Sequence, residues 1–193
     1  MLRYYITDRN QAGGLQPLLE MIRRNLIDGV EMIQLREKDL SARELAAILR
    51  RVLAWPNPCG SKILVNERLD VAMAVGAHGV HLPSGAVSPA SIRSVVPMEF
   101  LVGVSCHNTA EIAAAEAEGA SFVVFGPVFT PLSKAAYLRP VGLEGLRAAV
   151  RAARIPVLAL GGITSGNAAS CVAAGAAGLA GITLFQKDEW NAQ

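Results

Sequence analysis

Eight times along the chain, a short and uninterrupted apolar run gives way to a longer stretch with helical spacing. The runs are Tyr4–Thr7, Met32–Leu35, Ile63–Asn66, Gly79–Leu82, Leu101–Ser105, Phe122–Phe125, Val157–Leu160 and Leu179–Ile182. They are continuous rather than alternating, the pattern of strands buried on both faces in a parallel sheet covered by helices. Eight strands separated by helices predict a (β/α)8 TIM barrel spanning residues 1–193 as one domain. An open doubly wound sheet is the runner-up. At 193 residues the chain is short for such a barrel, which typically takes ~250 residues. Charged Lys187-Asp188-Glu189 follows soon after the last apolar run. The eighth helix is therefore short, or is completed by another subunit, which leaves a homo-oligomer open.

The helical stretches carry their own punctuation. Leu15–Asp28 stops at Gly29, Arg68–Val75 at Gly76, Thr109–Glu118 at Gly119 and Asn167–Ala174 at Gly175, each a C-terminal glycine. Ser41 precedes Ala42–Trp55 with Glu44 three residues on, the spacing of a capping box. Ser88-Pro89 opens a helix to Val96 with proline at its first position. Leu143–Arg154 runs to Ile155-Pro156.

Composition narrows the function. The chain is 52% hydrophobic, which excludes disorder. Its 18 basic and 16 acidic residues give a net charge of +2, with no electrostatic footprint for nucleic acid. No apolar run approaches the ~18 residues of a membrane span. The N-terminal Met1 to Asn10 carries Arg3, Asp8 and Arg9 and lacks a signal-peptide apolar stretch. Cys59, Cys106 and Cys171 are an odd set without metal-type spacing, so a reduced, cytoplasmic setting is the simplest reading.

A barrel of this kind places its active site at the C-terminal ends of its strands. Polar residues gather at those ends: Thr7-Asp8, Gln34 to Asp39, Asn66-Glu67-Arg68, Pro83-Ser84 after His81, and Ser105-Cys106-His107. Period-two alternation puts Gln34, Arg36 and Lys38 on one inward face. Two cations and an amide facing a lumen call for an anionic or polar ligand; the plainer alternative is a solvated strand end whose charges pair with Glu37 or Asp39. Gly161-Gly162 after the seventh strand, with Ile182 and Thr183 after the eighth, suits a phosphate cradle of backbone amides, although a tight turn explains a Gly-Gly pair equally. The loop from Gly126 to Val141 holds Thr130, Ser133 and Lys134; its length suggests a lid, or simply an exposed surface loop. His81 reads as a satisfied core histidine, His107 as a neighbour of the site and His78 as structural at the opposite end. Cys106 has no base in register and is no nucleophile.

Several segments, in order, resemble the thiamine-phosphate synthase/TenI family. They are Tyr4-Tyr5-Ile6-Thr7-Asp8, Ile33-Gln34-Leu35-Arg36-Glu37-Lys38-Asp39, Val65-Asn66-Glu67-Arg68-Leu69-Asp70, Gly79-Val80-His81-Leu82, Val102-Gly103-Val104-Ser105, Phe125-Gly126-Pro127-Val128-Phe129, Lys134, and Pro156 to Ile163. The resemblance implies a (β/α)8 barrel that joins a hydroxymethylpyrimidine diphosphate to a thiazole phosphate, giving thiamine phosphate and pyrophosphate. It places Gln34, Arg36 and Lys38 on the pyrimidine and diphosphate, Asn66 beside them, and Ser105 and Lys134 on the diphosphate. Gly162, Ile182 and Thr183 would hold the thiazole phosphate, with Thr130 and Ser133 nearby. It also implies Mg²⁺ held by two carboxylates. Here Glu67 stands at the first position, one methylene longer than the family's aspartate, and Ala86 at the second, so a weak Mg²⁺ site on Glu67 is expected. The Leu82-Pro83-Ser84-Gly85 segment is more similar to the TenI branch of thiazole tautomerases, but the histidine of that branch is Pro127 here. A tautomerase, or a non-catalytic barrel that binds thiamine phosphate or a precursor, are the alternatives.

Overall fold

Strand pairing closes on itself: each strand is hydrogen-bonded in parallel to its sequence neighbours, and the eighth returns to the first. The computed structural model describes residues 1–130 and 139–186. Among them the strands are β1 Leu2–Ile6, β2 Met32–Leu35, β3 Lys62–Asn66, β4 Gly79–Leu82, β5 Leu101–Cys106, β6 Phe122–Phe125, β7 Val157–Leu160 and β8 Gly178–Gly181. The helices are α1 Arg9–Ala12, α2 Leu15–Ile27, α3 Ala42–Leu53, α4 Leu69–Val75, α5 Pro89–Arg93, α6 Thr109–Ala117, α7 Gly142–Ala152, α8 Ser165–Ala173 and α9 Thr183–Gln186. The closed barrel replaces the doubly wound alternative. None of these helices is long and apolar enough to cross a membrane.

The continuous apolar runs have the cause expected of them. Odd and even positions both bury, but into different cores. Ile33, Leu35, Ile63, Val65, Val80, Val102 and Leu179 pack outward beneath the helices. Tyr4, Ile6, Met32, Leu64, Phe122, Val124, Leu158 and Ala180 fill the lumen. The helix punctuation also holds. Ser41 and Glu44 form a reciprocal capping box, and Ser88 caps α5 ahead of Pro89.

Many element ends shift by one to three residues from expectation, and several of the differences have a clear cause. The eighth strand starts at Gly178 and ends at Gly181, so Ile182 leads out of the barrel rather than lying in it. Gly178 packs against the Leu2 backbone, where a Cβ would come within 2.2 Å of the Leu2 carbonyl oxygen. α8 begins at Ser165, not Asn167, because Asn167 is the third residue of its first turn and accepts the Thr164 N–H at 2.8 Å. The short α1 is an addition, started by the Asp8 carboxylate on the Asn10 and Gln11 amides. The last helix, α9, runs from Thr183 to Gln186, where the described residues end.

Candidate active site

Register decides which side chains share the upper lumen. Ile6 pairs with Gln34, Asn66 with His81, His81 with Gly103, and Ser105 with Val124. Gln34, Asn66, His81 and Ser105 therefore lie on inward positions toward the strand C-terminal ends, of which alternation predicts Gln34. Gln34 is 1% exposed, and its Nε2 donates to the Tyr4 hydroxyl at 2.7 Å. Burial pushes the Tyr4 hydroxyl pKa far above its ordinary value, so it stays neutral.

His81 is buried beneath this layer, beside the rings of Tyr4 and Phe122. It is not the fully satisfied core histidine of the sequence reading. Its Nε2 lies 2.9 Å from Ser105 Oγ, while its Nδ1 has no partner among the described residues. Burial, then the positive charge of Arg36, pushes the imidazole pKa down to about 3. Two other histidines fall where expected. His78 at the opposite end accepts the Ile63 N–H at 3.0 Å. His107 lies at the end of β5 with Nδ1 2.6 Å from the Gly126 carbonyl oxygen. The Cys106 thiol is buried and its pKa is pushed up to about 12, first by desolvation and then by Glu111, which removes it as a nucleophile.

The charges after β2 separate into two roles. Glu37 is buried, accepting the Thr7 hydroxyl at 2.6 Å and the Arg9 amide at 3.1 Å. The Thr7 oxygen in turn accepts the Arg36 N–H at 2.9 Å. Asp39 is paired with Arg9 through both guanidinium nitrogens. Glu37 and Asp39 thus engage Arg9 rather than Arg36 or Lys38. Arg36 is half-buried, and its guanidinium has no hydrogen-bond or ion-pair partner among the described residues. Lys38 departs from the inward face expected of it: β2 ends at Leu35, the alternation stops there, and Lys38 is exposed at the rim with its Nζ 4.0 Å from Glu67 Oε2.

Glu67 has a φ of 59°, a left-handed conformation uncommon for a residue with a side chain. The turn sends Asn66 toward the lumen and Glu67 to the rim, and Asn66 Nδ2 donates to Glu67 Oε2 at 2.8 Å. A cavity of about 350 Å³ is lined by Lys38, Asn66, Glu67 and the ion-paired Arg68, together with Glu37 and the apolar Leu35, Leu40 and Leu45. A second, of about 280 Å³, is lined by Ser105, the loop Pro83 to Ser88 with Ala86, and Glu111. The Glu111 carboxylate there accepts from Ser84, the His107 amide and Asn108.

On the other side of the mouth, β7 and β8 pair Leu160 with Ala180, so Gly162 and Ile182 sit at matching positions just beyond. The amides of Gly162, Ile163, Ile182 and Thr183 donate to no acceptor among the described residues. The glycines also have a packing reason. Gly162 has a φ of 63°, and a Cβ on it would fall 2.4 Å from the Thr130 carbonyl oxygen. Val128 and Phe129 donate to the Leu160 and Gly161 carbonyls at 2.8 and 3.0 Å. The start of the long loop is therefore fastened to β7, which brings Thr130 beside Gly162. Ser133, Lys134 and the rest of the expected lid lie outside the described residues.

Three supports escaped the sequence reading. Tyr4 orients Gln34, although the alternation that turned Gln34 inward also turns Tyr4 inward. Asn167 holds Gly162, donating to its carbonyl at 2.9 Å; the Thr164-to-Asn167 spacing was the available signal. Gly103 leaves the room that His81 and Phe122 fill, and only the assembled barrel reveals that.

Among the described residues no group of three or more histidine, cysteine or acidic side chains could hold a metal ion. Glu67 is the exposed carboxylate at the rim, with Ala86 contributing no ligand. The set fits an Mg²⁺ that arrives with a diphosphate and takes one protein carboxylate, not a resident ion held by the protein alone.

Comparison with known proteins shows the family and the fold. The family model described as thiamine monophosphate synthase matches residues 3–185. A Geobacter sulfurreducens protein, named provisionally as a thiamine-phosphate synthase, is 46% identical over 185 residues, covering 96% of this chain and 86% of its own. The thiamine-phosphate synthase of Moorella thermoacetica is 40% identical over 179 residues, covering 93% and 85%. The solved thiamine phosphate pyrophosphorylase of Pyrococcus furiosus superposes with a TM-score of 0.84 at 32% identity, covering 97% of this chain and 89% of that one. The chain belongs to the thiamine monophosphate synthase family of (β/α)8 enzymes.

Proposed function

We propose that the barrel mouth holds the two substrates of thiamine phosphate synthesis side by side, the pyrimidine diphosphate over β2–β5 and the thiazole phosphate over β7–β8. One observation carries the reading. Arg36 stands half-buried without an ion-pair partner among the described residues, in the same mouth as Gln34, Asn66 and Ser105. A partly desolvated cation in that position favours an anionic ligand.

The chemistry follows from where charge develops. The C–O bond between the pyrimidine methyl carbon and the diphosphate breaks, and the electron pair leaves with pyrophosphate. The methyl carbon becomes electron-poor, and the thiazole nitrogen forms the new C–N bond to it. The barrier lies in separating that charge, so preorganised donors on the leaving group supply most of the acceleration. Arg36, Lys38 and Ser105 take that role, joined by Lys134 from the loop after β6. Gln34, fixed by Tyr4, and Asn66 orient the pyrimidine. The amides of Gly162, Ile182 and Thr183 hold the thiazole phosphate, with Thr130 and Ser133 beside it. Glu67 provides the protein oxygen for Mg²⁺, which neutralises diphosphate charge when bound.

The tautomerase alternative lacks a residue. Pro127 occupies the position of its histidine, and the neighbouring His107 has Nδ1 engaged by the Gly126 carbonyl. The test is to supply each substrate set to the purified protein and follow pyrophosphate release and thiazole isomerisation in parallel. Pyrophosphate release that requires both substrates is the expected result. Isomerisation alone would assign the tautomerase, and neither activity with thiamine phosphate still bound would assign the binding barrel.

A further inference from the structure

One polar contact inside the lumen is half satisfied. His81 is 3% exposed, with Nε2 2.9 Å from Ser105 Oγ and Nδ1 buried without a partner. The packing around Nδ1 explains why nothing reaches it. A Cβ on Gly103 would fall 2.8 Å from Nδ1 and 2.4 Å from Phe122 Cζ, so backbone and an aromatic edge close that side of the ring. The Tyr4 and Phe122 rings lie at centroid distances of 5.7 and 6.2 Å.

Two neutral tautomers meet this environment differently. With the proton on Nδ1, a buried N–H has no acceptor and the Ser105 hydroxyl must donate to Nε2. With the proton on Nε2, His81 donates to Ser105 and only a lone pair is left unused at Nδ1. Orphaned N–H groups are rarer in protein interiors than under-used acceptors, so the second arrangement is favoured.

We infer that His81 is held as the Nε2–H tautomer and thereby reserves the Ser105 hydroxyl proton for an anion at the barrel mouth. A serine hydroxyl has one proton and two acceptor lone pairs. When His81 fills one lone pair from below, the proton is free to point out of the lumen. Ser105 is half-buried at that boundary and lines the cavity beside the Pro83 to Ser88 loop. His81 is then a positioning residue: it touches no substrate and acts by fixing the polarity of Ser105. The inference rests on the reading of Ser105 as a diphosphate contact.

The test combines a spectrum with a binding cycle. The ¹⁵N shifts of the His81 ring in the wild-type protein report which nitrogen carries the proton, whether or not any variant folds. Calorimetry with inorganic pyrophosphate and Mg²⁺ then compares wild type with Ser105→Ala, His81→Leu, His81→Gln and the Ser105→Ala/His81→Leu double variant. Ser105→Ala and His81→Leu are each expected to weaken binding about tenfold, the loss of one hydrogen bond to a charged group. The double variant should bind no more weakly than Ser105→Ala alone. His81→Gln, which keeps an N–H donor, should retain most of the affinity. A proton found on Nδ1 overturns the proposal, as do additive losses in the double variant or unchanged pyrophosphate binding by Ser105→Ala. If the wild type shows this pattern yet forms no thiamine phosphate, the synthase reading fails while the His81 assignment stands.

Discussion

Gln34 Nε2 donates to the Tyr4 hydroxyl at 2.7 Å, and both side chains are almost wholly buried. The bond links the neighbouring strands β1 and β2 inside the lumen and leaves the Gln34 amide one orientation. Tyr4→Phe keeps the ring against Phe122 and removes the acceptor. It should lower stability by about 1–3 kcal/mol, the penalty for a buried polar group left unpaired. It should also raise KM for the pyrimidine diphosphate more than KM for the thiazole phosphate. Denaturant unfolding and steady-state kinetics measure the two effects. Equal rises in both KM values would show that Tyr4 does not act through Gln34.

The position of Arg36 depends on Thr7. The Thr7 hydroxyl donates to buried Glu37 and its oxygen accepts the Arg36 N–H. Thr7→Val is close in shape but cuts both bonds. We expect a loss of about 1–2 kcal/mol together with weaker diphosphate binding, because the strand end carrying Arg36 is no longer fixed. A variant that loses stability but binds pyrophosphate normally would mean that Arg36 is held by other contacts.

Gly162 tests the opposite side of the mouth. Its φ of 63° is strained for any L side chain, and a Cβ would meet the Thr130 carbonyl oxygen at 2.4 Å. Gly162→Ala should cost about 1–3 kcal/mol. It should raise KM for the thiazole phosphate while leaving KM for the pyrimidine diphosphate near its wild-type value. A rise confined to the pyrimidine substrate would move the phosphate cradle elsewhere.

Stability should fall in mild acid through His81. The folded pKa of about 3 lies below the ordinary histidine value of 6.5, so the unfolded chain binds the proton first as pH drops. The stabilisation is fully present above pH ~6.5 and is lost as pH falls toward 3, at up to ~1.4 kcal/mol per pH unit. Carboxylates contribute with the same sign, so the comparison is with His81→Gln. That variant should unfold with a shallower pH dependence between pH ~4 and ~6.5. Parallel curves for the two proteins would contradict the neutral, buried imidazole.

The strands and their order were legible because one physical cause, burial on both faces, leaves a direct mark on sequence. The mouth was legible in part: polar residues collect at the strand ends and alternation turns Gln34 inward, whereas Lys38, past the end of β2, is exposed at the rim. What stayed hidden involves contacts between distant segments. Nothing local in Gly103 says that it faces His81 on the neighbouring strand. Nothing local in Arg9 says that it will engage Glu37 and Asp39 and so leave the Arg36 guanidinium without an ion-pair partner among the described residues. The sequence puts Asn167 at the start of its helix, whereas its hydrogen bonds to Thr164 and Gly162 set it at the third position of the first turn.

The metal requirement follows from the carboxylates available. Mg²⁺ is commonly bound through one or two carboxylates together with substrate phosphates. Glu67 is at the rim, and Ala86 lines the same cavity as Ser105 without offering an oxygen from its side chain. Other acidic groups near the mouth have structural work: Asp8 caps α1, Asp39 pairs with Arg9, and Glu111 accepts three hydrogen bonds around the β5 end. The free protein should therefore bind Mg²⁺ weakly, and pyrophosphate release should need more Mg²⁺ than a site with two carboxylates would. Ala86→Asp should lower the Mg²⁺ concentration for half-maximal rate several-fold, and Glu67→Gln should raise it by a similar factor. Mg²⁺ titrations of the wild type and both variants at saturating substrates measure this. Full Mg²⁺-dependent activity in Glu67→Gln would remove Glu67 as the ligand, and no response to Ala86→Asp would place the metal away from the β4 loop.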